Sequence, residues 1–214
     1  MYVNNLIIIC QIVIFMIKYF YKYMYTVKNY ENLLGLKGFS DNALKLHFTL
    51  YEGYVKNVNS ILEKLRSGSV EKGSIEASEL RRRISWEYNG MKLHEIYFES
   101  ISKTPNKINT ESGLAKKIDE TYGSFENFLE MVKSTGTARG IGWVALLKEE
   151  NTNDIFTVWF EEHDTGVFAD SKVLFCMDLL EHAFILDFGT KKIDYINAFL
   201  ENVDWKVIED RFEK

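Results

Sequence analysis

Proline is almost missing from this chain of 214 residues, occurring once as Pro105, and cysteine occurs only twice, as Cys10 and Cys176. Without long polar or low-complexity stretches the chain is neither disordered nor fibrous, and its length suits one or two compact domains with a real core. Two cysteines exclude a disulfide framework. Cys176 lies in the apolar run Val173-Leu174-Phe175-Cys176-Met177 and reads as a small buried hydrophobe rather than a reactive thiol. An excess of cations is also lacking: 26 Lys and Arg stand against 31 Asp and Glu, a formal charge of -5. Nucleic acid is therefore not an expected partner, because phosphate binding needs clustered positive charge. The single basic cluster, Arg81-Arg82-Arg83, reads as a solvated helix face. Hydrophobic residues at 46% and charged residues at 27% are those of a globular protein, whereas aromatics at 14% are abundant and suggest a lined pocket or packed interface.

Residues 1–24 form an apolar extension. The run from Leu6 to Ile17 is broken only by Gln11 and is followed by Lys18 and Lys22. Asn4-Asn5 precede it where a secretory signal would carry positive charge, and no small-residue cleavage site follows. Its length of about twelve falls short of the roughly 20 residues that cross a bilayer. The expectation is that Met24 is the true start and the segment is translated upstream sequence; a membrane anchor is the alternative. Were it an anchor, the charges after it would keep the rest of the chain on the cytoplasmic side. A cytoplasmic location is expected in either case.

The rest of the chain reads as α+β. Ser40-Asp41 caps a helix that runs to about Arg66, with Leu44, His47, Tyr51, Tyr54, Val55, Val58 and Ile61 at helical spacing. After a polar, glycine-containing stretch a second helix is expected over about 75–102, carrying Leu80, Ile84, Tyr88, Met91, His94 and Phe98. Two long helices joined by a short loop make an antiparallel hairpin. The pattern breaks around Pro105, where the domain boundary is placed, giving a hairpin domain over 25–105 and a second domain over 106–214. Two shorter helices follow, about 112–121 and 124–134. Then β-branched and aromatic runs at 142–148, 155–161 and 172–177 predict a three-stranded antiparallel sheet. Two closing helices are expected, about 193–202 and 205–212.

Four histidines occur in the whole chain. His47 sits mid-helix with Tyr51 and Tyr54 on the same stripe, and His94 sits mid-helix with Met91 and Phe98. Asp178 ends the last strand, and His182 follows four positions later. One histidine on an apolar helix face reads as a core residue. Two on paired helices, with a third beside a buried-looking acid, read as a ligand set for a redox-active metal, since imidazole suits iron and manganese and a carboxylate offsets part of the charge. No cysteine lies nearby, against a structural zinc site. No Glu-x-x-His motif is repeated, against a carboxylate-bridged di-iron bundle.

Asp178-Leu179-Leu180-Glu181-His182-Ala183-Phe184, followed by Asp194-Tyr195-Ile196-Asn197-Ala198-Phe199 and Val203-Asp204-Trp205, resembles the C-terminal signature of the iron/manganese superoxide dismutases. The similarity extends back through Gly140-Ile141-Gly142-Trp143, Asn89-Gly90-Met91-Lys92-Leu93-His94 and the segment His47 to Val55. The resemblance implies that His47, His94, Asp178 and His182 hold one iron or manganese ion per subunit, with solvent as a fifth ligand. It implies that Tyr54 stands at the mouth of a substrate funnel and that Trp143 forms a pocket wall. Glu181 matches an acid that reaches the partner subunit's ligand histidine, so a homodimer or dimer of dimers is implied. His163 lies where manganese-type members place a glutamine that hydrogen-bonds the bound solvent, and a histidine there is a titratable donor.

Several positions depart from the family pattern. Tyr51 replaces a gateway histidine, Phe98 and Leu180 replace tryptophans, and Ala145 replaces an aromatic. Gly90 lacks the glutamine of iron-type members, Lys191 occupies the usual site of a basic residue near the funnel, and Leu50 replaces a lysine. The implied activity converts two superoxide anions to dioxygen and hydrogen peroxide, with His163 tuning the metal and Tyr54 handling protons. The competing reading is a metal-binding or dimer-forming protein of this fold without turnover.

Overall fold

The computed structural model describes residues 24–214. The expectations for the apolar extension fall on residues outside that range, Met24 excepted. A 3-10 turn at Glu31–Leu33 lies ahead of the first long helix, α1, which spans Asp41–Ser67. The Ser40 hydroxyl accepts from Ala43 N at 3.1 Å, and α1 ends where Gly68 turns left-handed. Its buried stripe is Leu44, His47, Tyr51, Val55, Val58 and Ile61, the face expected from the spacing.

The second helix, α2, spans Ile75–Glu99 and packs along α1 to complete the antiparallel hairpin. Ser74 caps it in the same way, accepting from Ala77 N at 3.1 Å. It stops three residues before the expected Ser102. The Ser100 hydroxyl folds back on Ile96 O at 2.6 Å, and Ile101 leaves the helix to bridge Val203. That bridge, with Trp205 N donating to Asn106 O at 3.0 Å, fastens the segment around Pro105 to the C-terminal part. The basic cluster is a paired face rather than a merely solvated one: Arg82 meets Glu79 at 2.7 Å and Arg83 meets Glu87 at 2.9 Å.

Two helices, α3 (Gly113–Tyr122) and α4 (Phe125–Gly136), lead into the sheet, each opened by a capping serine. The strands are β1 (Gly142–Glu149), β2 (Ile155–Glu161) and β3 (Ser171–Asp178), all antiparallel with β1 in the middle. β1 is buried on both faces, which explains its continuous apolar sequence, whereas β2 is an edge strand that is mostly part-exposed. Gly142 opens β1 at φ 144, and a Cβ there would collide with the Phe160 carbonyl oxygen, so only glycine fits. Register sets Trp143 opposite Asp178 at one end of the sheet. Cys176 is fully buried and donates to Leu93 O at 3.3 Å, joining β3 to α2.

Three closing helices follow the sheet, one more than the sequence pattern suggested: α5 (Glu181–Phe188), α6 (Lys192–Glu201) and α7 (Trp205–Glu213). The helix that escaped notice, α5, has eight residues, no side-chain cap at Leu180 and an apolar composition that runs on from β3. A shared aromatic core locks the two parts together, with Tyr97 of α2 stacked on Phe199 of α6 at 4.9 Å. Among the described residues no helix is long and apolar enough to cross a membrane.

Candidate metal centre

Four elements deliver four donors to one point. α1 brings His47 and α2 brings His94; the end of β3 brings Asp178, and the first turn of α5 brings His182. One ligand atom from each lies within 4.8 Å of every other. Asp178 Oδ2 is the hub, 3.1 Å from His47 Nε2, 2.9 Å from His182 Nε2 and 3.5 Å from His94 Nε2.

Two atoms bound to one ion at about 2 Å each sit roughly 3 to 4 Å apart, which these spacings match. A sharper sign is that His94 Nε2 is buried with no hydrogen-bond partner, the one such side-chain atom among the described residues. A buried polar atom without a partner costs free energy unless something fills its lone pair. The ring is turned for that purpose. His94 Nδ1 donates to Gly90 O at 2.6 Å, which fixes the proton on Nδ1 and leaves Nε2 bare toward the other donors. Asp178 is held likewise: Oδ1 accepts from Leu180 N at 2.9 Å, and its backbone carbonyl accepts from the Tyr195 hydroxyl at 2.6 Å. The donor set fits an ion that takes nitrogen and oxygen ligands, with charge to offset.

The electrostatics agree. Burial pushes His47 and His94 below the ordinary imidazole range, so both rings are neutral and able to ligate. Burial also opposes charge on Asp178, yet His182 and His47 outweigh it and hold the carboxyl well below the usual carboxylate range. For His182, burial is overcome by the Asp178 charge, and its pKa is raised. Asp178 thus favours the protonated form of His182 more than water does that of a free imidazole.

Around this cluster stand residues of both parts. Tyr54 lies 5.1 Å from the His94 ring, in space that exists because residue 90 is glycine: a Cβ there would be 2.7 Å from the Tyr54 ring. The Tyr54 hydroxyl meets His163 Nε2 at 2.8 Å, and Trp143 Nε1 meets His163 Nδ1 at 3.1 Å. Indole nitrogen only donates, so Nδ1 is the acceptor and the proton of a neutral His163 is on Nε2. Burial lowers the His163 pKa, consistent with that neutral form. Tyr54 Oη therefore accepts from His163, which leaves its own proton free to point elsewhere. Burial and the neighbouring Asp178 and Glu87 raise the Tyr54 pKa, so that proton is retained at neutral pH.

Other expected site residues are placed differently. Phe98 touches His47, with ring centres 4.9 Å apart, and Trp143 touches His94 at 5.1 Å. Tyr51 is buried against Phe98, with ring centres 6.1 Å apart, and its hydroxyl donates to Glu95 at 3.2 Å and accepts from Lys28 N at 3.1 Å. Glu181 is exposed at the start of α5. Lys191 is also exposed, lining a surface pocket of about 530 Å³ with Arg139 and Lys192 that none of the four donors borders. One neighbour went unnoticed in the sequence. Trp86 packs on His163 at 4.5 Å and on Tyr54 at 5.4 Å. Its signal was its spacing, since Trp86, Gly90 and His94 recur every fourth residue on one stripe of α2.

Three imidazoles and one carboxylate, gathered between a helical hairpin and the end of a three-stranded sheet, define a protein built around a single metal ion. Comparison with known proteins specifies the family. Residues 36–102 match the alpha-hairpin domain of the iron/manganese superoxide dismutases, and residues 110–211 match their C-terminal domain. The chain is 30% identical to a superoxide dismutase [Fe] of Aquifex pyrophilus, covering 84% of this chain and 87% of the relative. It is 29% identical to a superoxide dismutase [Fe] of Saccharolobus solfataricus, covering 82% and 86%. A superoxide dismutase [Mn] 2 of Haloferax volcanii is 29% identical over 78% of this chain and 83% of its own length. The chain belongs to the iron/manganese superoxide dismutase family.

Proposed function

We propose that this protein dismutes superoxide, using one iron or manganese ion held by His47, His94, Asp178 and His182. The observation that carries the reading is the unpartnered, fully buried His94 Nε2 aimed at three further donors, in a chain of this family. The ion supplies one-electron chemistry between its +3 and +2 states, by which one superoxide is oxidised to dioxygen and another, with two protons, is reduced to hydrogen peroxide.

The chain's own residues orient the ligands and handle protons. Gly90 O and the Leu180 amide hold the His94 ring and the Asp178 carboxylate in their ligating orientations. Phe98, Trp143 and Tyr97 surround the cluster with aromatic surface and keep water from competing for its donors. His163 donates from Nε2, so it orients Tyr54, whose hydroxyl proton is retained and not used in that bond. With Nδ1 committed to Trp143, that single Nε2 proton is all His163 offers the site, and its tuning effect runs through it.

Three further expectations belong to the same reading. We take the working form to be a homodimer or dimer of dimers, supported by Glu181 exposed beside Ile185 and Leu186, which are 43% and 52% exposed on α5. The division at Pro105 into 25–105 and 106–214 and a cytoplasmic location are retained from the sequence. The test is reconstitution of the purified protein with iron and with manganese separately, followed by metal analysis and a dismutase assay. Activity with at least one metal is expected; full metal occupancy without dismutation by either would overturn the reading.

A further inference from the structure

We propose that Trp86, a residue of the hairpin, is a positioning residue for the His163–Tyr54 pair, an inference that rests on the dismutase reading above. His163 is not carried by a regular element. It sits in a turn after β2, between the isolated bridge partners Glu161 and Thr165, and its neighbour Glu162 is left-handed at φ 49. A non-glycine residue in that region is strained and persists only where its surroundings hold it.

Trp86 is what holds it. Its Nε1 donates to Glu162 Oε2 at 2.8 Å, and the preceding Ser85 hydroxyl donates to Asp164 at 3.2 Å, so consecutive residues of α2 grip the residues on both sides of His163. The indole itself lies against His163 at 4.5 Å and Tyr54 at 5.4 Å. The Arg83 guanidinium covers the indole at 3.8 Å, while Glu87, 2.9 Å from Arg83, holds that cation in place. His163 is thus set from two directions: Trp143 of β1 fixes its tautomer through Nδ1, and Trp86 of α2 fixes the backbone and the ring plane that aim Nε2 at Tyr54. The hairpin thereby does more than supply ligands. It sets the histidine that the other half of the molecule contributes to the proton-handling pair.

The variants that separate this role from packing are Trp86→Phe, which keeps an aromatic ring and loses the N–H, Glu162→Ala, and Glu162→Gln, whose amide oxygen still accepts. In the metal-loaded enzyme, Trp86→Phe and Glu162→Ala are each expected to lower kcat about tenfold at unchanged metal content. Each should also shift the midpoint potential of the bound metal and the pH profile. The double variant should lose no more than either single one, and Glu162→Gln should recover most of what Glu162→Ala loses. If Trp86→Phe does not fold, Glu162→Ala and Glu162→Gln carry the same test. Wild-type kcat, potential and pH profile in Glu162→Ala would overturn the proposal, as would an activity loss that merely tracks metal loss. Either result leaves the dismutase reading standing, because that reading fails only if the wild-type holoenzyme is inactive.

Discussion

The two halves of the metal site are built by different means. On the hairpin side His47 and His94 project from the middle of long, capped, uninterrupted helices, and their directions follow from helical spacing alone. On the other side Asp178 stands at a strand end, His182 in the first turn of a short uncapped helix, and His163 in a turn with strained backbone. Regular elements place a side chain by geometry repeated over many residues, so any one contact can change with little effect. Irregular ones place it by a few specific contacts, and there single substitutions should matter more.

The largest expected effect comes from the ligands themselves. His182→Ala should abolish metal binding, seen by elemental analysis, because it removes a donor and leaves Asp178 without its nearest partner. His94→Ala should do the same from the hairpin side, and retention of full metal content by either variant would break the symmetry of the site. Next is Gly142→Ala, at the sheet end that sets Asp178 opposite Trp143: positive φ and the Phe160 carbonyl oxygen oppose any Cβ, so chemical denaturation should show a loss of about 3 kcal/mol or more. His163→Ala should keep the metal and lower activity by about tenfold to a hundredfold. Unchanged activity would remove His163 from proton handling. The smallest effect is on the regular side, where Ser40→Ala should cost only about 1 kcal/mol of stability and leave kcat alone.

A pH dependence sharpens the same contrast. The His182 pKa is raised, so an incoming ion competes with a proton for this ring up to a higher pH than for an ordinary imidazole. Metal affinity should therefore rise with pH until His182 is neutral and fall as pH drops below its raised value, whereas His47 and His94, lowered by burial, add no such dependence at neutral pH. Metal titration at several pH values measures this, and a flat affinity across neutral pH would contradict it.

This division also decides what could be read from the sequence. The hairpin, its cap at Ser40, the three strands and the four donors were legible, because periodicity and capping are local signals. The helix carrying His182 was not, since eight apolar residues after a strand, without a capping side chain, carry no period long enough to detect. Tyr51 was legible as a substitution on the His47 stripe of α1, but its partner Glu95 on the facing helix was not. Trp86 was missed for a similar reason: its role depends on a turn about 75 residues away, closed by Glu161 and Thr165. Only the recurrence of Trp86, Gly90 and His94 along one stripe hinted at it.

The central claim is that three imidazoles and one carboxylate share one ion. Anomalous diffraction from crystals of the metal-loaded protein, at the iron or manganese edge, tests it directly. A single peak within bonding distance of His47 Nε2, His94 Nε2, Asp178 Oδ2 and His182 Nε2 is the predicted result. A fully loaded protein whose peak lies elsewhere, or touches only some of these four atoms, would contradict it.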